Sequence, residues 1–186
     1  MVRALSLTLA RRGFIWVILT VRGAKILLLH VNGSNKATRE IVRKATWWYA
    51  EKLMGKRLMA NLEIEVVLKK GMIAKDNTEA TAIWEDDDAR NHRVFTIEVD
   101  PAPAIRNILI SLAHEMVHVK QWAKNEMKEY CIPGEVRYMN KKYNMENMDY
   151  WDYPWEIEAF GRQLGLFIRF CKATGIADRD DMQEDY

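Results

Sequence analysis

Two histidines and a glutamate in one short stretch are the residues of this chain best suited to chemistry. Residues 114–118 read His-Glu-Met-Val-His. In a helix, residues four apart share a face, so both imidazoles can reach one metal ion. Glu115 is turned by about 100° from His114, which lets it address a metal-bound water instead of the metal. Zinc lowers the pKa of such a water and the glutamate accepts its proton, so the motif predicts hydrolysis.

The residues around the motif have the pattern of an amphipathic helix. Polar residues share the side of His114, namely Asn107, Ser111, His118, Gln121 and Asn125. Apolar residues lie on the other side, namely Ile105, Leu109, Leu112 and Met116. We expect the apolar side to pack on a sheet while the histidines line an opening. The alternative is a pair of ordinary helix histidines that bind nothing.

A catalytic zinc usually has three protein ligands, so a third must come from elsewhere in the chain. Sequence candidates are His92, Cys131, Cys171 and the carboxylates of the last predicted helix. Glu156 lies within about 80° of several apolar residues of that helix, where a carboxylate needs a strong partner such as a metal. Glu158 points about 160° away and is expected to pair with Arg162 on the outside. We therefore predict Glu156 as the third ligand, with a protonated or arginine-paired core glutamate as the alternative.

The elements that must position these residues indicate an α+β fold with a small mixed sheet. Apolar or alternating runs predict strands at Ala24–Val31, Leu62–Leu68, Thr81–Glu85 and Val94–Val99, the last two as a hairpin. Capping and stop signals predict helices from Ser34 or Asn35 to Met54, with Gly55 as the stop, from Asp100 to about Asn125, and from Asp152 to Gly175. The 25 residues before the last helix are expected to be irregular. His92, in the polar turn of the hairpin, is expected at the surface.

Length and composition favour one domain. The chain has 186 residues, of which 49% are hydrophobic, and it contains no uncharged apolar run long enough to span a membrane. We divide it into an N-terminal extension at 1–23, a strand or a weak signal-like segment, a domain at 24–175 and an acidic tail at 176–186. Arg22 and Lys25 interrupt the signal-like pattern, so a cytoplasmic location is expected over export. Cys171 is expected to be a buried free thiol.

Charge is distributed unevenly along the chain. Residues 1–75 contain 15 Lys/Arg and 4 Asp/Glu, whereas the remainder contains 13 and 22. The basic half could contact DNA or a partner, or only complement the acidic half. The residues concerned are Lys36, Arg39, Arg43, Lys44, Lys52, Lys56 and Arg57.

The two motifs together resemble those of a known group of enzymes. His114-Glu115-x-x-His118, followed by Glu156-Ile157-Glu158-Ala159, is similar to the zincin metallopeptidases with a glutamate third ligand. The stretches 112–121 and 150–159 resemble small phage-encoded SprT-like metallopeptidases, and more distantly the ImmA/IrrE-type and thermolysin-like peptidases. The resemblance covers roughly residues 105–170 and implies a zincin-like domain, one Zn²⁺ and a protein or peptide substrate. This chain lacks the histidine that usually follows the SprT motif helix, and the C-x-x-C pairs of the zinc ribbon in longer members.

Two further roles are predicted for residues outside the motifs. Ala82-Ile83-Trp84 resembles the substrate-aligning edge strand of thermolysin, although an ordinary hairpin strand is the alternative. Hydrolysis also needs a hydrogen-bond donor for the oxyanion. Tyr153 and Tyr150 are the nearest donors in sequence to Glu156, with plain aromatic packing as the alternative.

The sequence therefore predicts a zinc metallopeptidase. His114, His118 and Glu156 would bind the metal, and Glu115 would be the general base. The alternative is a non-catalytic, metal-stabilised module that binds nucleic acid or protein through the basic N-terminal half.

Overall fold

The computed structural model describes residues 6–11, 14–19, 27–86, 91–130 and 132–183, the first two ranges as backbone only. Nine strands and four helices follow one another along these residues: β1 Ser6–Arg11, β2 Phe14–Leu19, β3 Leu28–Gly33, α1 Lys36–Met59, β4 Glu63–Leu68, α2 Met72–Asp76, β5 Ala80–Trp84, β6 Val94–Val99, α3 Ile105–Ala123, β7 Met127–Glu129, β8 Glu135–Tyr138, β9 Lys141–Asn144 and α4 Pro154–Thr174. The predicted α+β class is confirmed. Within the described residues, no helix is both long and apolar enough to cross a bilayer.

A four-stranded mixed sheet with the order β3-β4-β6-β5 forms the base of the domain. β3, β4 and β6 run parallel, whereas β5 runs antiparallel to β6 and lies at the edge. β4 and β6 bury alternate residues, because only one face of each strand meets the helices. Helix α3 contacts β5 and β6, so the expected packing of the motif helix on the sheet is present.

Helix α1 follows β3 through a connection that requires glycine. Gly33 has φ +77°, and a Cβ there would lie 2.3 Å from the carbonyl oxygen of Leu68. Asn35 then caps the helix by accepting a hydrogen bond from the Thr38 amide at 2.9 Å. The predicted stop at Gly55 is a kink, since its φ of 74° is non-helical but a further turn continues to Met59.

The motif helix begins later than predicted, at Ile105 instead of Asp100. The Asp100 carboxylate accepts hydrogen bonds from the backbone amides of Gly71, Ile73 and Ala102. These bonds keep residues 101–103 in a bend and also hold α2, a short helix that the sequence patterns did not predict. The C-terminal end of β6 is thus tied to two helix starts by one carboxylate.

The expectation of an irregular segment before the last helix was wrong. Within this segment, β7, β8 and β9 form a separate antiparallel sheet with the order β7-β8-β9. Met127, Val136 and Tyr138 of this sheet are buried in the core, so it packs beside α3 and α4. Its strands have only three or four residues, too few to show a clear alternation in the sequence.

Short elements lie at both ends of the chain, outside the predicted domain. β1 and β2 pair antiparallel within the predicted N-terminal extension. In the predicted acidic tail, a short 3₁₀ turn at Asp180–Met182 places Met182 in the core. The predicted strand residues 24–26 and the cysteine at 131 lie outside the described residues. Cys171 is a buried free thiol, as expected.

Candidate metal centre

Two packed helices bring three potential metal ligands together. His114 and His118 lie one turn apart on α3, and Glu156 lies in the first turn of α4, just after Pro154. One ligand atom from each residue lies within 4.8 Å of the other two, and all three residues have little solvent exposure. The clustering predicted from sequence is therefore present. His92 is not part of it.

The nitrogen and oxygen atoms of this cluster face a common point. The two histidine Nε2 atoms are 3.1 Å apart. Glu156 Oε2 lies 3.2 Å from His114 Nε2, and Glu156 Oε1 lies 3.4 Å from His118 Nε2. Two imidazole nitrogens and a carboxylate are a donor set that suits Zn²⁺, so these residues fit the metal that the motif implies.

The outer nitrogen of each imidazole is held by a glutamine. His118 Nδ1 donates to Gln121 Oε1 at 2.9 Å, and His114 Nδ1 donates to Gln163 Oε1 at 2.8 Å. Because the Nδ1 atoms carry the protons, both Nε2 atoms present lone pairs toward each other and toward Glu156. Such a convergence of lone pairs is unfavourable unless a cation, either a proton or a metal ion, lies among them.

The pKa shifts of Glu156 and His118 indicate that this cluster favours a bound positive charge. Where an Nε2 proton supplies that charge, burial opposes the charge of Glu156, but hydrogen bonds from Nε2 of His114 and His118 hold its pKa well below the usual range. Burial likewise opposes protonation of His118, yet Glu156 and Glu115 raise its pKa overall. A metal ion would satisfy the same carboxylate and imidazole without a proton.

Glu115 lies next to the cluster and lines an open cleft. The cleft has a volume of about 680 Å³, and His114, Ser111, Ala80, Tyr150 and Phe160 are among the residues around it. Burial raises the pKa of Glu115, whereas the two histidines and the backbone N–H of Ala82 act in the opposite direction. The Glu115 carboxylate is therefore mostly buried beside the candidate ligands, and it forms part of the wall of the cleft.

The surroundings of Glu156 differ from the apolar face predicted for it. Phe160 and Leu164 are 39% and 44% exposed, so Glu156 lies at the margin of the buried stripe of α4. Its burial comes from α3 and from Tyr150, whose hydroxyl donates to Glu156 Oε2 at 2.9 Å. The Phe160 ring lies against His114, with ring centroids 4.6 Å apart.

Glu158 is not on the outside of the molecule, which corrects the sequence prediction. It pairs with Arg162 at 2.8 Å as expected, but its side chain is only 14% exposed. Lys120 Nζ, Gln121 Nε2 and Tyr138 Oη also donate to its carboxylate. The sheet β7-β8-β9 covers this side of α4, and wheel geometry on one helix does not contain that information.

The two predicted tyrosines occupy different positions. Tyr150 lines the cleft beside Glu156. Tyr153 instead donates to the carbonyl of Met145 at 3.1 Å and stacks on Trp155. Only Tyr150 thus has its hydroxyl at the candidate centre.

The predicted hairpin agrees with the structure in its edge strand and differs from it in the exposure of His92. Ala82, Ile83 and Trp84 lie in the edge strand β5, where Ile83 is exposed. His92 was expected at the surface, but it packs against Trp84 and hydrogen-bonds to Asp86, with its side chain 15% exposed. The neighbouring indole explains this burial.

Several basic residues of α1 have partners within the chain. Arg43 pairs with Glu40, and Arg39 donates to the carbonyls of Gly33 and Ser34. Lys52 lies over the Trp48 ring at 5.3 Å. These contacts do not test DNA binding, which stays a prediction.

Comparisons of this chain with protein-family models, curated proteins and solved structures find no match.

Proposed function

We propose that this protein is a zinc-dependent metallopeptidase. The observation that carries the proposal is the convergence of His114, His118 and Glu156 beside a buried glutamate at the wall of an open cleft. A purely structural metal site needs neither the adjacent glutamate nor the opening.

The donor set favours zinc, although two imidazoles and a carboxylate also suit iron. When bound, the ion would lower the pKa of a water molecule and polarise the substrate carbonyl. His114, His118 and Glu156 would hold it beside the cleft that His114 lines.

Glu115 has the properties of a general base in this reaction. Its position after His114 places it beside the three ligands, and it borders the cleft. Burial raises the pKa of its carboxyl group, which makes the carboxylate a stronger proton acceptor. We assign it the proton of the attacking water, which it would then deliver to the leaving amine.

Tyr150 would supply the hydrogen bond to the oxyanion. Burial and the hydrogen bond to Glu156 raise the pKa of its phenol, so the hydroxyl keeps its proton at neutral pH. The phenol has a single O–H, which would turn from Glu156 Oε2 to the oxygen that gains negative charge when water attacks a carbonyl.

The edge strand β5 gives an extended substrate a place to bind. β5 has a neighbour only on its β6 side within the described sheet, and its residue Ala82 directs a backbone N–H toward Glu115. An extended peptide could add to the open edge through main-chain hydrogen bonds. Ala82, Ile83 and Trp84 would then align the substrate carbonyl with the centre.

The decisive test combines elemental analysis with a cleavage assay on unfolded casein. We expect about one zinc per chain in the wild type. Glu115→Gln should keep the zinc and reduce cleavage by about 10²–10⁴-fold, because the base alone is lost. Glu51→Gln on α1 is the matched control and should change neither quantity.

Other outcomes would contradict particular parts of the proposal. Loss of zinc in Glu115→Gln would mean that Glu115 is a ligand and not the base. Equal zinc content in the wild type and Glu156→Ala would refute the third ligand. Zinc binding and salt-dependent DNA binding without cleavage of any protein would favour the non-catalytic module instead.

A further inference from the structure

The two glutamines that hold the histidines look equivalent but have different surroundings. Gln163 lies on α4, is partly exposed, and borders the cleft. Its Oε1 accepts from His114 Nδ1. Within the described part of the chain, its side chain makes no other hydrogen bond.

Gln121 is wholly buried between α3 and α4. Its Oε1 accepts from His118 Nδ1, and its Nε2 donates to the carbonyl of Trp155 at 2.9 Å and to Glu158 Oε2 at 3.0 Å. The amide group therefore needs its oxygen on one side and its nitrogen on the other.

The partner of Gln121 is a firmly held carboxylate. Lys120 and Arg162 contact Glu158 Oε1 at 2.6 Å and 2.8 Å, and Tyr138 donates to Oε2 at 2.9 Å. Because Glu158 is an acceptor, a second carboxylate in place of Gln121 would leave two acceptors facing each other in a buried position.

We propose that Gln121 and Gln163 are positioning residues for the metal ligands with opposite tolerance of negative charge. This inference rests on the proposed metal centre. Gln163 holds His114 while adding no charge, so a carboxylate there would strengthen the imidazole as a ligand and attract the cation. Gln121 must be an amide, because its nitrogen bridges α3 to the turn of α4 that carries Glu156.

The test is the affinity for Zn²⁺, measured by competition with a chromophoric chelator on the full chain. Gln163→Glu is expected to bind zinc about tenfold more tightly than the wild type, and Gln163→Met about tenfold more weakly. Gln121→Glu is expected to weaken binding by about 10–100-fold. A role in folding alone predicts no gain of affinity in any variant.

The control and the contrary outcomes separate this inference from the proposed function. Gln183→Glu, far along the chain near the C-terminus, should leave zinc affinity unchanged. Provided that the wild type binds zinc, an unchanged or weaker Zn²⁺ affinity of Gln163→Glu would overturn the inference. Tighter Zn²⁺ binding by Gln121→Glu would overturn it as well. Absence of zinc binding by the wild type would overturn the metal centre itself. The Gln163→Glu result decides the matter even where Gln121→Glu fails to fold.

Discussion

The positions of individual protons decide which atoms of the candidate centre can bind a metal ion. The amide oxygens of Gln121 and Gln163 require Nδ1–H on both histidines, which leaves both Nε2 lone pairs available to a metal ion. Tyr150 holds a proton between its phenol oxygen and Glu156. The same phenol also borders the cleft, so Tyr150 connects Glu156 to that opening.

Because Tyr150 borders both Glu156 and the cleft, we expect its hydroxyl to contribute to catalysis. Tyr150→Phe should keep zinc but lower kcat about 10²-fold, the usual scale for one oxyanion donor. Tyr153→Phe is the matched control, because its hydroxyl binds the Met145 carbonyl. Steady-state kinetics and zinc content of both variants provide the measurement. Equal kinetic losses in the two variants would indicate aromatic packing and not donation to substrate.

At the scale of elements, the connections around the sheet depend on Asp100. This buried residue follows β6 and binds the amides that begin α2 and the bend before α3. Backbone hydrogen bonds, that of Ile73 first, hold its pKa below the usual range. The position of the motif helix on the sheet is thus coupled to a charged carboxylate.

The free energy of unfolding should therefore depend on the ionisation of Asp100. Because its pKa is lower in the folded state, its contribution is complete above the unfolded pKa of about 4 and is lost as the pH falls through the folded value. Asp100→Asn should destabilise the protein more at pH 7 than at pH 3 in urea unfolding. Asp76→Asn, at an exposed aspartate of α2, is the control. An equal loss at both pH values would contradict the role of the charge.

For the molecule as a whole, the candidate centre joins elements distant in sequence. α3 contributes two candidate ligands and α4 the third, and these helices also share the contact of Lys120 with Glu158. The sheet β7-β8-β9 contacts α4 through the hydrogen bond from Tyr138 to Glu158. A metal ion would therefore act as a cross-link within the fold.

Removing the metal should lower the stability of the whole domain. A ligand present at 1,000 times its dissociation constant contributes about 4 kcal/mol, so chelation should lower the Tm on the order of 10 °C. Differential scanning calorimetry with and without chelator measures this shift. Glu156→Ala should show a much smaller change. Identical Tm values for the wild type in both conditions would contradict a bound metal.

Local periodicity explains what could be predicted from the residues alone. The turn of a helix places His114 and His118 together whatever surrounds them. Alternation in β4 and β6 likewise reflects one buried face, and the α+β class follows from the order of such segments. Glu156 was identified because a carboxylate next to apolar residues needs a partner, although two of those residues, Phe160 and Leu164, are exposed.

The sequence by itself determined the fold class and the pair of histidines, since both depend on contacts between near neighbours in the chain. Only the tertiary structure decided that Glu158 is largely covered, that Tyr150 and not Tyr153 reaches the centre, and that Gln163 holds His114. The contacts of His114 with Gln163 and of Lys120 with Glu158 join residues 49 and 38 positions apart, and the contact of Tyr138 with Glu158 depends on the sheet that covers α4. The rotation and the offset of α4 against α3 determine these contacts. Helix periodicity in the sequence carries no information about that rotation or offset.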